Sequence, residues 1–289
     1  MIESSFSDGI NFRLGCAIWA YKPWVGDLFP PKSKAADFLN LYSRRFTCVE
    51  GNMTFYAIPD RAMVDRWKSE TPPGFKFCPK LPKTLTHSGR LAASISGALQ
   101  FLELMQGLDD RLGVLFAQLP PSYSPANFKD LEAFLRGWKG ANLALEVRHA
   151  QWFQEPYRTR LNELLQELQI GRVLLDTRPI YECEDDPQLA SERKKPRVPL
   201  QPDVTASFSL IRYISHPTLN QQSLDEWAKI VDRWLQQGTE IYFFVHCPVE
   251  EYSPQNARQF QRLLEQEAVK VPPLPWNLIE QSPSQMSLF

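Results

Sequence analysis

Polar side chains recur at one kind of place in this sequence, the end of a short apolar stretch of strand-favouring residues. Glu50, Lys80, Gln118, Glu146, Arg148, Asp176, Arg212 and His246 all occur this way. The clearest stretch is Leu143-Ala-Leu-Glu-Val-Arg-His149, apolar at first and then finished by Glu146, Arg148 and His149. Fixed cations such as Lys80, Arg148 and Arg212 suit a phosphate or carboxylate. Among Glu50, Glu146 and Asp176, one carboxylate taken out of water could serve as general base or acid. His149 and His246 carry imidazoles that exchange protons near neutral pH. The competing reading is a buried salt-bridge network that merely finishes the top of a core. Because polar burial is costly, the functional reading leads.

Other residues join as candidates for binding rather than chemistry. Asn52, Arg178 and His87 lie at or just beyond strand ends, while His216 reads as a turn residue beside Pro217. The aromatics Trp19, Tyr21, Trp24, Phe55 and Tyr56 fall on the first two loops; either they pack those loops down or they offer stacking surfaces for bases or sugars. Cys16, Cys48 and Cys78 sit on three successive strands and read as small apolar packing inside a barrel. No cofactor is expected. A divalent metal held by Glu146, Asp176 and His246 is disfavoured, since no His-Glu-x-x-His spacing supports it and neighbouring cations would compete.

Side chains two apart on a strand share a face, so Glu146 points with Ala144 and Arg148, Lys80 with Cys78, Glu50 with Cys48, and Asp176 with Leu174 and Arg178. If the apolar members fill an interior, the polar members crown it. The predicted strands are Phe12–Trp19, Phe46–Asn52, Phe75–Leu81, Gly113–Leu119, Leu143–His149, Arg172–Arg178, Phe208–Ile214 and Glu240–His246. Helical patterns lie between them, among them one capped by Asp60, one over Tyr157–Leu168 and one over Ser253–Gln266. A spacing near thirty residues is what a βα unit requires, and eight units describe a single (β/α)8 TIM-type barrel over residues 10–276. Its mouth, at the strand ends, is where a site belongs.

The cadence breaks between strands 6 and 7, where a long excursion carries the acidic run Glu182–Asp186 and the basic run Arg193–Arg197, a candidate lid over an anion. Residues 277–289 form an extended polar C-terminal tail.

With a net charge of −1, no global field draws the chain to nucleic acid or membrane, so anion binding must be local. A hydrophobic content of 43% and charged content of 22% are those of a soluble globular protein. No signal peptide or bilayer-spanning run is read in it. Five cysteines without a Cys-x-x-Cys pair point to a reducing cytoplasm.

Several stretches resemble one known family, the YecE-like family (domain of unknown function 72). They are Trp19-Ala-Tyr21-x-x-Trp24-Val-Gly26, Val49-Glu50-Gly-Asn52-x-Thr54-Phe-Tyr56, Gln118-Leu-Pro-Pro121, Glu146-x-Arg148-His149 and Asp176-x-Arg178-Pro179. The resemblance implies a TIM-barrel fold and no settled activity. His246-Cys247-Pro248 departs from an Asn-Asn-Asp-like end carried by many members, which bears on any role transferred to the eighth strand.

The tail Gln285-Met-Ser-Leu-Phe289 resembles the bacterial sliding-clamp-binding pentapeptide, with Met286 in place of leucine. In that reading Leu288 and Phe289 fill an apolar pocket and the Gln285 amide hydrogen-bonds beside it. The leading expectation is an enzyme acting on a phosphate-containing substrate, a small molecule or nucleic acid, brought to the clamp by its tail. A sugar or sugar-phosphate isomerase or hydrolase and a non-catalytic nucleic-acid or metabolite adaptor are the alternatives. A closed, narrow pocket favours the small-molecule enzyme, an open aromatic groove favours a strand-like ligand, and a mouth locked wholly in salt bridges favours the adaptor.

Overall fold

The computed structural model describes residues 11–189, 194–218 and 221–276. All eight predicted strands form among them: β1 (Phe12–Cys16), β2 (Cys48–Gly51), β3 (Lys76–Pro79), β4 (Leu115–Gln118), β5 (Leu143–Glu146), β6 (Gly171–Asp176), β7 (Phe208–Ile214) and β8 (Glu240–His246). Every pairing between them is parallel. Helices cross back between the strands, as parallel pairing demands.

The ladder is not one unbroken ring. Six strands pair in the order β1-β8-β7-β6-β5-β4, and β2 and β3 form a separate two-stranded sheet. Single bridges at Phe77–Leu112 and Lys80–Phe116 tie β3 to the β4 region. Between β1 and β2, side chains take over from ladder bonds. Leu14 N donates to Thr47 Oγ1 (2.9 Å), and Tyr42 Oη accepts from Cys16 N (2.6 Å) while donating to Cys48 O (3.2 Å). Gly15 permits this approach, since a Cβ there would sit 2.0 Å from Cys48 O. The eight expected strands thus pair as six plus two, the two sheets joined by single bridges and side-chain bonds.

Alternation along the strands divides the core in two. Cys48, Cys78, Val114, Phe116, Ala144, Val173, Phe208, Leu210, Tyr242 and Phe244 form one buried cluster, the interior that the strands enclose. Their neighbours Val49, Phe77, Leu115, Leu145, Leu174, Ile211 and Phe243 belong to the larger cluster shared with the helices. Cys16 falls in that outer cluster, unlike Cys48 and Cys78, so only two of the three cysteines pack the interior. All five thiols are free.

Asp60 caps the helix Arg61–Glu70 as expected, its Oδ1 accepting from Met63 N at 2.8 Å. Several strands end sooner than predicted. β1 stops at Cys16, after which Trp19 turns into the packing between Trp67 and Phe77.

The excursion after β6 is packed down where it is described. Val198 joins Leu175, Ile180 and Ile214 in a small apolar cluster. Thr177 Oγ1 donates to Pro196 O (3.2 Å), Lys195 N to the buried Gln188 Oε1 (2.7 Å), and the Tyr181 hydroxyl to Lys195 O. No described helix is long and apolar enough to cross a membrane.

Candidate functional site

Above the inner cluster, the strand ends place their polar side chains within hydrogen-bonding reach of one another. Arg212, from β7, is the hub. Its Nε and Nη2 each donate to Glu50 of β2 at 2.9 Å, a bidentate pair, and its Nη1 donates to Glu146 Oε2 of β5 at 2.6 Å. Arg148 Nε donates to the other oxygen of Glu146 at 2.6 Å. His246 Nε2, from β8, lies 2.7 Å from Glu50 Oε2. Glu50, Glu146, Arg212 and His246 are all buried, and Phe116 lies beneath the arginine with its ring centroid 5.7 Å from the guanidinium carbon.

Lys80 stands beside this network without a carboxylate of its own. Its Nζ donates to Gln118 Oε1 at 2.6 Å and reaches Asn52 Oδ1 at 3.5 Å, and it lies 4.0 Å from the Phe55 ring centroid. Its backbone N–H is held by Thr54 Oγ1 at 3.0 Å, which sets the lysine at the rim.

The charges explain the proton affinities. Burial pushes the Glu50 carboxyl up, but Arg212 and then His246 pull harder together and leave it well below the ordinary range. Burial likewise raises Glu146, and Arg148, Arg212 and Lys80 overcome it to bring the group to about 2. Both carboxylates are therefore charged at neutral pH. For Lys80, burial and then the neighbouring Arg212 lower the pKa to about 7, against the partial support of Glu146 and Glu50. Burial holds His246 at about 4 despite Glu50, so its ring is neutral near pH 7. His87 is also lowered to about 4, by burial and then by Lys80; its ring packs edge-on to Phe55.

Two residues that the sequence reading did not single out join the cluster. Lys195 arrives from the excursion, and its pKa is lowered by burial and then by Arg212, with Glu50 and Glu250 opposing. Its Nζ makes no hydrogen bond among the described residues, and neither do the two Nη groups of Arg148. Glu250, in the short turn after β8, has a buried Oε1 without a hydrogen bond; burial raises it to about 8, Ser253 and Lys195 opposing. Lys195 lay within the basic run but was indistinguishable there from solvated neighbours. Glu250 follows a strand end by four positions, so alternation along the strand says nothing of where it points.

Other expected site residues lie elsewhere. Asp176 is buried on the outward face of β6, where it accepts from Trp227 Nε1 (2.8 Å), Arg178 Nη2 (2.9 Å) and Arg178 N (3.1 Å). Arg178 also pairs with Glu226 at 2.8 Å. The reason is register: Val173 and Leu175 take the inward positions, leaving Leu174 and Asp176 to the helix side. Both Asp176 and Arg178 are thus corrected from mouth to helix layer, and the trio Glu146, Asp176 and His246 does not converge on a metal. His149 is a cap, its Nδ1 accepting from Gln151 N at 3.3 Å.

The aromatic groove does not form either. Trp19 and Trp24 are buried, the latter donating to Glu250 O at 3.1 Å, and Tyr21 hydrogen-bonds Glu251 at 2.9 Å. These rings pin the first loop down, and of the five only Tyr56 is largely exposed. The clamp-like residues Gln285, Met286, Leu288 and Phe289 lie outside the described residues.

Comparison with known proteins gives the family and the fold. The family described as "Protein of unknown function DUF72" matches residues 13–278. The UPF0759 protein YecE of Escherichia coli K12 is 33% identical over 248 residues, covering 84% of this chain and 88% of YecE. The UPF0759 protein YunF of Bacillus subtilis 168 is 23% identical over 258 residues, covering 82% of this chain and 90% of YunF. Among crystal structures, a DUF72 protein of Thermotoga maritima superposes with a TM-score of 0.68 at 22% identity, covering 88% of this chain and 99% of that one. Another from Enterococcus faecalis V583 gives 0.67 at 19% identity, covering 89% and 98%.

Proposed function

This chain belongs to the DUF72 family, whose description carries no activity, and from its site we propose an enzyme that moves protons on a small phosphate-bearing substrate. The observation that carries the reading is the set of cationic groups left over when the carboxylates are paired. Glu50 and Glu146 are each held by Arg212, whereas Lys80, Lys195 and the outer edge of Arg148 have no carboxylate left to bind. Such groups favour a phosphate or carboxylate.

The proton affinities support a division of roles. Glu146, at about 2, is too weak a base for proton abstraction at neutral pH. Lys80, at about 7, is matched to it, and Glu250, at about 8, supplies a second proton carrier. The arginine–glutamate network holds the charge pattern fixed beneath them, a preorganised field that needs no rearrangement during reaction. We read the two sheets as one (β/α)8-type barrel with this cluster at its mouth. The burial of the cluster under the excursion favours a small molecule over a nucleic-acid strand, and an isomerase or lyase over a surface-acting nuclease. Free thiols suit a reducing cytoplasm.

The test is calorimetric titration of the protein with inorganic phosphate and a panel of phosphosugars at pH 7. Lys195→Ala and Arg148→Ala are each expected to weaken binding by at least about 10-fold, the effect of about 1.4 kcal/mol in a charge-assisted contact. Unchanged affinity in both variants refutes the anion site. In the same protein, reductively methylated Lys80 should titrate near pH 7, with its resonance identified by loss in Lys80→Gln; a midpoint near 10 removes the proton-transfer role.

We further propose that Gln285–Phe289 recruits the chain to the bacterial sliding clamp, on the support of the pentapeptide alone. Clamp retained on immobilised full-length protein and lost on deletion of those residues is the expected outcome. Equal retention by both forms defeats it.

A further inference from the structure

Outside the Arg212 network, three side chains of metal-ligating type converge. Cys183 and Asp185 come from the excursion and His216 from the loop after β7, and their ligand atoms all lie within 4.8 Å of one another. A thiol, a carboxylate and an imidazole are the donor set of zinc.

The state of His216 is the second observation. The residue is only 9% exposed, and its Nε2 is buried without a hydrogen bond, although Asp185 Oδ1 stands 3.0 Å away. Buried ring nitrogens are normally satisfied, so one facing a thiol and a carboxylate without a well-formed bond calls for an explanation. The opposite nitrogen, Nδ1, lies 2.9 Å from Thr218 O and 3.0 Å from Thr218 N. With the Nδ1 proton given to the Thr218 carbonyl, Nε2 turns its lone pair toward Cys183 and Asp185, the tautomer a metal-bound histidine adopts.

The spacing is suitable. Two ligand atoms each about 2.0 Å from a tetrahedral zinc stand about 3.3 Å apart, and the Asp185–His216 separation is already close to that edge.

We propose that Cys183, Asp185 and His216 bind a zinc-class divalent ion, tying the excursion to the β7 loop independently of any reaction at the mouth. On binding, Cys183 gives up its thiol proton to solvent, and Sγ, a carboxylate oxygen and Nε2 become the protein ligands, with water completing the set. The bound ion cross-links the segment that delivers Lys195 to the strand that carries Arg212.

Cobalt(II) is the probe, added to the full-length protein under reducing conditions. One equivalent should bind with a thiolate-to-cobalt charge-transfer band that zinc bleaches on competition. Cys183→Ser should abolish the band, and Asp185→Asn should weaken binding by more than about 10-fold, the size of loss that even an outer-shell substitution gives. Asp185 is a largely exposed side chain, so that variant is expected to fold. The idea fails if the wild-type protein shows no such band, or if the band survives in Cys183→Ser. It fails equally if zinc cannot displace the cobalt.

Discussion

Replacing Arg212 with methionine tests whether one guanidinium keeps two buried carboxylates charged. The side chain makes two 2.9 Å bonds to Glu50 and one 2.6 Å bond to Glu146, and all three residues are buried. Removing one partner of a buried ion pair costs about 3–5 kcal/mol, because the charge left behind has lost its compensation. At about 2 °C per kcal/mol for a chain of this size, thermal unfolding should fall by roughly 6–10 °C at pH 7.5.

The pH dependence is the sharper part of the test. In the wild-type protein Glu50 and Glu146 lie below their unfolded values, near 4.3 for glutamate. Their contribution is therefore complete above about pH 4.3 and is lost only as pH falls toward about 2. In Arg212→Met, burial remains while its main opponent at Glu50 is gone, so that carboxyl rises above the unfolded value. A raised acid destabilises progressively as pH climbs from the unfolded to the folded pKa. Each unit across that window costs about 1.4 kcal/mol. Between pH 5 and pH 7 the gap between variant and wild type should widen by up to about 2.7 kcal/mol. Melting followed by circular dichroism at pH 5, 6, 7 and 7.5 measures it. Equal gaps at all four values would refute the claim that Arg212 holds Glu50 ionised.

Two further substitutions separate scaffold from site. Gly15→Ala should destabilise by about 3 kcal/mol or more, because its Cβ meets Cys48 O at 2.0 Å where β1 and β2 touch, and overpacking of this kind forces backbone to move; urea denaturation showing less than about 1 kcal/mol would remove the seam argument. Asp176→Ala should cost about 1–3 kcal/mol by stranding the buried Trp227 Nε1 and leaving Arg178 with Glu226 alone, yet leave phosphate affinity at the mouth unchanged, and a parallel loss of affinity would return Asp176 to the site.

The strands were legible because each is a short apolar run between turn signals, and β7 and β8 match their predicted ends residue for residue. What failed was the choice of face. Counting in twos says which residues share a face, not which face looks inward. In β6 the count joined Asp176 to Leu174 and Arg178 correctly, but that row meets the helices, and Val173 and Leu175 take the inward one. Glu50, Lys80, Glu146, Arg212 and His246 escaped this error because Cys48, Cys78, Ala144, Leu210 and Phe244 stand two places before them and do point inward. Lys195 could not be read at all, since long-range folding of the excursion, and no local periodicity, brings it in. The first-loop aromatics were ambiguous for a similar reason: a tryptophan fit for stacking and one fit for packing are the same residue until its neighbours are known.

The misplaced Asp176 has a mechanical consequence. One carboxylate holds both Arg178, where the excursion departs from β6, and Trp227, in the helix behind it. That root is moored from outside the enclosed interior. The Tyr181 hydroxyl in turn holds Lys195 O, so the segment that brings the Lys195 ammonium toward Arg212 is anchored to that same root, and the charge of the pocket is fixed from its outer side.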